Sequence, residues 1–278
     1  MKLRLYHHHD GARVAYREAG SGPPLILLHS LGLSHREWMP AIEPLTHRFR
    51  LILPDLPLHG DSEDRPTHAY DSEWMTEVMA DFCRSVGGEC AALGGHGIGG
   101  EIALRAVLDG NLTPAGLVLC STRLHGRPAH PGLVSAWRTA SRAAAVPGLD
   151  RLLARGAKAS AGPLLVRRLT ETPNPEVADL VRHAFADVGD PGRARAWARF
   201  ARNWPVGPDR ELMDRYSTIS APVLLLWADR DPAHPLAVAK EALDLLPNAQ
   251  LRILERTGYL PAYDDPVGLA REIAAFLR

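Results

Sequence analysis

Short apolar runs alternate with longer amphipathic segments along most of the chain. A run that is apolar throughout is typical of a strand in a parallel sheet, because helices cover both of its faces. We therefore predict strands within residues 25–28, 49–54, 90–93, 117–121, 222–227 and 249–254. Amphipathic patterns between them predict helices at 71–86, 102–108, 236–246 and 266–277. This alternation predicts an α/β fold with a doubly wound, mostly parallel sheet.

The first twenty residues have a different pattern. Residues 2–9 and 12–18 alternate imperfectly between apolar and polar positions around Asp10-Gly11, a dipeptide typical of a hairpin turn. We therefore predict an antiparallel hairpin. Its first arm contains His7, His8 and His9, which we interpret as strand residues; a metal site is the weaker alternative.

The alternation of apolar runs and amphipathic segments is interrupted between about residue 122 and residue 209. Helical patterns rich in Ala, Leu and Arg replace it, interrupted by prolines. We predict a helical cap at residues 123–209, inserted between two parts of one core domain, 1–122 and 210–278. The alternative is an ordinary set of packing helices.

A dense glycine cluster at residues 94–100 joins a predicted strand to a predicted helix. Small residues allow the helix to pack close to the strand, and glycine adopts strained turn conformations at little cost. A glycine-rich phosphate-binding loop would have the same local pattern. The surrounding motifs must therefore show whether this stretch is such a loop or a sharp turn that presents a catalytic residue.

The cluster resembles the nucleophile elbow of α/β-hydrolases, G-x-S-x-G, with Gly97 at the serine position. Residues 29–32 are similar to the H-G-x-G oxyanion loop, and residues 55–62 to the D-x-P-G-H-G-x-S segment with Leu58 replacing a glycine. Residues 257–261 are similar to the G-H-x-P turn, with Tyr259 at the histidine position, and Asp231 matches the usual acid. The resemblance covers nearly the whole chain and is to the capped branch, which includes enol-lactonases, C–C hydrolases and epoxide hydrolases. It implies an eight-stranded sheet.

The resemblance also implies a degenerate catalytic triad. In the family a serine attacks, a histidine takes its proton, and an acid orients the histidine. Gly97 has no side chain, and a tyrosine with an ordinary pKa of about 10 is a poor base at neutral pH. Serine-type acyl-enzyme chemistry should therefore be absent. An inactivating substitution introduced at position 97 would look the same, although the second change at Tyr259 argues against it.

Several residues remain as site candidates. The catalytic candidates are Asp231, Tyr259 and His96, and the backbone N–H groups of Leu31 and Ile98 match the family's oxyanion donors. The pocket candidates are Ser30, His125 and Trp137, and no spacing of histidines predicts a metal site. Each candidate has a structural alternative: packing beneath the site for His96, loop capping for Asp231, space filling for Tyr259, turn stabilisation for Ser30 and an exposed loop for His125.

Composition narrows the class of partner. The 32 basic and 32 acidic residues give a net charge of zero, which does not favour nucleic acid or an anionic membrane. The three cysteines form no disulfide framework, and neither a signal peptide nor a membrane-spanning run is recognisable. We expect a cytoplasmic protein, a monomer or homodimer, that needs no cofactor and acts on a small molecule.

Three functions follow, in order of preference. The first is a non-hydrolytic lyase, isomerase or cyclase that uses acid–base and oxyanion-hole chemistry on a small, partly apolar carbonyl compound. The Ala-, Arg- and Gly-rich composition is compatible with a GC-rich bacterial source and natural-product metabolism. The second is an atypical hydrolase whose water is activated by His96 or Asp231. The third is a catalytically inactive ligand-binding or receptor protein.

Overall fold

The computed structural model describes residues 1–126, 132, 135, 139, 142, 156 and 163–278. Its strands are β1 (Leu3–His7), β2 (Arg13–Ala19), β3 (Pro24–Leu28), β4 (Arg50–Pro54), β5 (Ala92–His96), β6 (Leu117–Cys120), β7 (Val223–Ala228) and β8 (Ala249–Leu254). They form one eight-stranded sheet in the order β1-β2-β4-β3-β5-β6-β7-β8.

The strand pairing confirms the predicted sheet and hairpin. β1 pairs antiparallel with β2, and β2 antiparallel with β4, whereas the remaining neighbours are parallel. His7 ends β1 as predicted, but His8 and His9 lie in the turn rather than in the strand. The reason is local. The His8 imidazole and the Ala12 N–H both bond to Asp10 Oδ1, so the turn begins directly after His7.

The described helices are α1 (Met39–Thr46), α2 (Ser72–Phe82), α3 (Ile98–Leu108), α4 (Pro163–Leu169), α5 (Pro175–Val188), α6 (Ala194–Asn203), α7 (Arg210–Asp214), α8 (Leu236–Leu245), α9 (Pro261–Asp264) and α10 (Pro266–Phe276). Asp71 caps the N-terminus of α2, since its carboxylate accepts a hydrogen bond from Trp74 N at 2.8 Å. None of the described helices is long and apolar enough to cross a bilayer.

The core consists of two apolar layers, one on each face of the sheet. Alternation within single strands builds both layers, because successive side chains of a strand point to opposite faces. In β3, Ile26 and Leu28 belong to one layer, while Leu25 and Leu27 belong to the other. An apolar residue at every position is therefore what a strand buried on both faces requires.

The described part of the predicted cap, residues 163–209, is helical and contains no strand. It packs on the loop that follows β4. Arg193 donates to the carbonyl oxygen of Gly60 at 2.9 Å, and the Asp187 carboxylate accepts from Gly60 N at 3.1 Å. The division into core and cap stays a prediction, and much of the proposed cap lies outside the described residues.

Candidate active site

The sharp turn predicted between strand and helix is present at Gly97. β5 ends at His96, α3 begins at Ile98, and Gly97 between them has φ 51° and ψ −117°. Only glycine adopts this region without strain. A Cβ at Gly95 would overlap the backbone of Gly99 and Gly100, so the first turn of α3 lies directly against the end of β5. The backbone thus has the elbow geometry without the side chain that the elbow usually carries.

Two hydroxyl groups fill the space above Gly97. A Cβ at position 97 would overlap the Ser30 hydroxyl and lie 3.7 Å from the Tyr259 hydroxyl. The Ser30 and Tyr259 oxygens are hydrogen-bonded to each other at 2.5 Å. Ser30 follows β3 and Tyr259 follows β8, so loops from two strands bring these groups to the elbow. The carboxyl ends of parallel strands are where open α/β sheets place their ligands.

A buried carboxylate supports this arrangement from below. Glu37 lies in a short 3₁₀ helix, His35–Trp38, and is 1% exposed. It accepts a hydrogen bond from Ser30 N at 2.7 Å and a second from His96 Nδ1. Sequence reasoning missed Glu37, because no motif distinguishes it from the charged residues of an exposed turn.

His96 is fully buried, and only one of its ring nitrogens has a partner. Nδ1 bonds to Glu37, whereas Nε2 has no hydrogen-bond partner among the described residues. Burial of the ring opposes a positive charge, but the carboxylates of Glu37 and Asp231 outweigh burial and raise the pKa of His96. Glu37 thus holds the ring through Nδ1, and Nε2 could bond to another group.

Asp231 pairs with a histidine that sequence reasoning did not identify. Its Oδ2 lies 2.7 Å from His234 Nδ1, and its Oδ1 accepts from Ala233 N at 2.7 Å. Burial alone would raise the pKa of Asp231, but the hydrogen bond and charge of His234, together with the charge of His96 and the Ala233 N–H, reverse that effect and lower it. The spacing of three residues between Asp231 and His234 was the available signal.

Tyr259 lies between the two imidazoles. Its ring centroid is 4.8 Å from that of His96 in an edge contact and 5.9 Å from that of His234 in a stacked contact. Burial raises the pKa of Tyr259 above its ordinary value, and the charges of Glu37 and Asp231 raise it further. At neutral pH the phenol therefore keeps its proton, and its hydroxyl can donate or accept in the bond with Ser30.

A cavity of about 310 Å³ opens next to these groups. Tyr259 supplies the only hydroxyl group among the described lining residues, which are otherwise Leu31, Gly32, Leu33, Leu169, Ala184, Phe185, Val188 and Trp197. Leu31 lines the cavity, and the Ile98 N–H belongs to the first residue of α3, where the helix itself offers no acceptor. The role of both N–H groups as oxyanion donors stays a prediction.

The three predicted pocket residues have different surroundings. Ser30 lies at the site. His125 instead contacts Tyr216 Oη at 3.3 Å and Glu241 Oε2 at 3.1 Å, and it is not among the described residues that line the cavity. Trp137 lies outside the described residues. Trp197, which the sequence placed in the predicted cap, does line the cavity.

Relatives by sequence cover most of the chain. The protein is 28% identical to an uncharacterized protein of Mycobacterium tuberculosis, over 100% of this chain and 81% of the relative. It is 31% identical to the magnesium-chelatase 30 kDa subunit of Rhodobacter capsulatus, over 84% of this chain and 80% of that protein.

A solved structure and a family sequence profile also match most of the chain. A thermophilic esterase from Thermogutta terrifontis superimposes with a TM-score of 0.80 at 24% identity, covering 100% of this chain and 98% of the esterase, a likeness that concerns the fold alone. The sequence profile of the alpha/beta hydrolase family, whose members are mostly hydrolytic enzymes, matches residues 25–272. The eight-stranded sheet, the elbow at Gly97 and this match establish that the chain belongs to the α/β-hydrolase family.

Proposed function

We propose that the protein is a non-hydrolytic enzyme that acts on a small, partly apolar carbonyl compound without forming a covalent ester. The observation that carries the proposal is the Ser30–Tyr259 hydroxyl pair, which lies where a nucleophile on Gly97 would be. The pair supplies hydrogen-bond donors to the place where the family normally supplies an attacking oxygen.

Ser30 lacks the partner that would make it a nucleophile. Attack by a serine needs a base that takes its proton. The hydroxyl to which Ser30 bonds belongs to Tyr259, and burial raises the pKa of that phenol further from neutrality. Among the described residues, no imidazole hydrogen-bonds to the Ser30 hydroxyl, and the neighbouring His29 ring bonds instead to the Ser30 carbonyl oxygen at 2.8 Å. Ser30 and Tyr259 are therefore suited to polarise a carbonyl group, and the N–H groups of Leu31 and Ile98 would add to this.

Such donors matter most when negative charge develops in a dry site. Removing one preorganised donor from an oxyanion hole typically costs about 2.7–4 kcal/mol of transition-state stabilisation. The cavity next to Tyr259 is lined mainly by apolar side chains, which would keep water from the part of a compound that packs against them. An enolate or a similar oxyanion would be stabilised there.

Asp231 would be the proton acceptor. It is ionised at neutral pH, because burial raises its pKa but the hydrogen bonds from His234 and Ala233 and the charges of His234 and His96 together lower it below its ordinary value. A positioned general base contributes about 10²–10⁴-fold to a rate. Proton removal next to a polarised carbonyl group is the first step of many eliminations, isomerisations and ring closures.

Exchange of hydrogen for deuterium next to the carbonyl group would test this chemistry. Small apolar ketones, lactones and thioesters are incubated with the protein in D₂O and followed by proton NMR. We expect catalysed exchange with the wild type, slowed about 100-fold by Asp231→Asn and about 100-fold by Tyr259→Phe. Glu43→Gln and Tyr6→Phe are matched controls, because Glu43 is exposed and Tyr6 contacts Phe82 at the hairpin.

Two outcomes would contradict the proposal. One is unchanged exchange in both site variants. The other is an acyl group found on Ser30 by mass spectrometry after incubation with an ester. Tight binding without exchange, seen as a rise in Tm, would instead support the ligand-binding alternative.

A second candidate is hydrolysis by an activated water. Membership of a mostly hydrolytic family favours it, and so does the unpartnered Nε2 of His96, which offers a place for a water proton. p-Nitrophenyl ester hydrolysis that resists fluorophosphonate and disappears in His96→Ala would support this candidate over the first.

A further inference from the structure

We propose that His96, Asp231 and His234 form a binding site for a divalent transition-metal ion of the Zn²⁺ type. One ligand atom from each residue lies within 4.8 Å of the others. The three residues come from two places in the chain, the end of β5 and the loop after β7. Their spacing in the sequence therefore does not predict that all three are ligands of one ion. This proposal does not depend on the proposed function.

His96 already has the arrangement of a metal-bound histidine. Its Nδ1 bonds to the buried carboxylate of Glu37, which leaves Nε2 directed away from Glu37. Metal-ligating histidines almost always bond through the second ring nitrogen to a carboxylate or carbonyl group, which fixes the tautomer. Nε2 is buried without a partner among the described residues. A buried polar atom without a partner destabilises the folded protein, and a bond to a metal ion would satisfy this nitrogen.

The donor set suits the proposed ion. Two imidazole nitrogens and one carboxylate oxygen are ligands that Zn²⁺ and its neighbours accept. The loop that carries two of them is anchored on both sides, since Trp227 Nε1 donates to the carbonyl oxygen of His234 at 2.9 Å and Ala233 N donates to Asp231. His234 now bonds to Asp231, and rotation of its ring would exchange that hydrogen bond for a bond to the ion.

The charge around the cluster also favours a cation. Glu37 and Asp231 bring two carboxylates into a mostly buried place. Within the described part of the chain their ion-pair partners are His96 and His234, and neither an arginine nor a lysine pairs with them. A doubly charged ion would balance both carboxylates with the imidazoles neutral.

The site would be accessible from the cavity. Tyr259 lines the cavity and contacts both imidazole rings, so one side chain separates the cluster from the cavity. Three protein ligands leave a fourth position open, as in catalytic zinc sites. Water or a carbonyl oxygen would fit that position.

A second group of potential ligands serves as a control. His8, His9 and Glu77 also lie within 4.8 Å of one another. However, both ring nitrogens of His8 are already bonded, to Asp10 and to Asp81, and His9 and Glu77 are exposed. We expect no specific site there.

Titration of the untagged protein with Co²⁺ tests the proposal, because its visible absorption reports the coordination. We expect one equivalent to bind with the intense bands of a four- or five-coordinate ion. His234→Ala and Asp231→Asn should each remove the bands. Glu37→Gln should weaken binding about 10–100-fold, as loss of an outer partner does. His9→Ala should leave the bands unchanged.

The proposal would be overturned if the wild type gave no such bands, or if His9→Ala removed them while Asp231→Asn kept them. Circular dichroism checks that each variant is folded. If His234→Ala does not fold, Asp231→Asn and the wild type still decide. Carbonyl exchange without Co²⁺ binding would overturn the metal site and leave the proposed function standing, and the reverse result would do the opposite.

Discussion

At the scale of single residues, positions 97 and 30 depend on each other. Gly97 holds a backbone conformation that strains a larger residue, and the Ser30 hydroxyl fills the space that a side chain would need. The family pattern has glycine where this chain has Ser30. The two differences from the family pattern are therefore complementary, because the Ser30 hydroxyl occupies the space that a side chain at position 97 would need.

Gly97→Ser should destabilise the folded protein and should not produce esterase activity. Backbone strain at this φ costs about 1–3 kcal/mol, and overlap with Ser30 adds to it. Urea unfolding measures the change. Gly110→Ser is the matched control, because Gly110 also has a positive φ, 72°, but nothing lies within 4 Å of its added Cβ.

Comparison of three variants separates strain from overlap. We expect Gly97→Ser to be less stable than Gly110→Ser, and Ser30→Gly to restore much of the difference when combined with Gly97→Ser. Equal stability of Gly97→Ser and Gly110→Ser would mean that Ser30 does not obstruct position 97.

At the scale of elements, the loop after β7 carries both an acid and a histidine. The Asp231–His234 pair lies within this one loop, and the Tyr259 ring from the loop after β8 stacks on His234. The loop is thus a compact charged unit whose effect on stability depends on pH.

Asp231→Asn should reduce stability only where the wild-type carboxyl is ionised. The pKa of Asp231 in the folded protein is lowered from 3.8. Ionisation therefore stabilises the fold above pH 3.8, and this contribution is lost as the pH falls through the folded-state pKa. Tm measured against pH should show a gap between wild type and variant at neutral pH that closes in acid. Glu43→Gln, at an exposed site, should show no gap.

The elbow helix α3 is also attached to the segment after β6 by a buried ion pair. Glu101, on α3, is 2% exposed, and one of its oxygens lies 2.5 Å from Arg123 Nη2. Arg123→Ala should destabilise the protein by about 3–5 kcal/mol, because the carboxylate would stay buried with a weaker partner, Arg105, at 3.5 Å.

Chemical unfolding measures this loss. Arg4→Ala is the control, since Arg4 is half exposed and lies 3.8 Å from Glu18, a pair that should contribute less than about 1 kcal/mol. Equal effects of the two substitutions would contradict the buried role of the Glu101–Arg123 pair.

At the scale of the whole molecule, helices α4, α5 and α6 and the loops after β3 and β8 line a mostly apolar cavity, to which Tyr259 contributes a hydroxyl group. Val188→Trp should fill part of this space, because Val188 lies on the cavity side of α5. Binding of small hydrophobic acids and lactones should weaken at least about tenfold, measured by calorimetry, with little change in Tm. Val267→Trp, on the exposed side of α10, should bind like the wild type.

The sequence predicted most of the fold and only part of the site. Apolar strands and the glycine turn follow local rules, so the eight-stranded sheet and the elbow were accessible. Asp231, Tyr259 and His96 could be named as candidates because a motif marks each position, and their roles stay predictions. Glu37 and His234 were not named, because a buried carboxylate in a short turn and a histidine outside any motif show their partners only in the folded chain.

The occupied space above Gly97 couples positions that lie far apart in the sequence. A serine side chain at position 97 would overlap the hydroxyl at position 30, so a chain with serine at position 97 would also need a smaller residue at position 30. A serine there would need, in addition, an imidazole within reach to take its proton. Substitutions in these loops are therefore epistatic, since the effect of each depends on the residue at the other position.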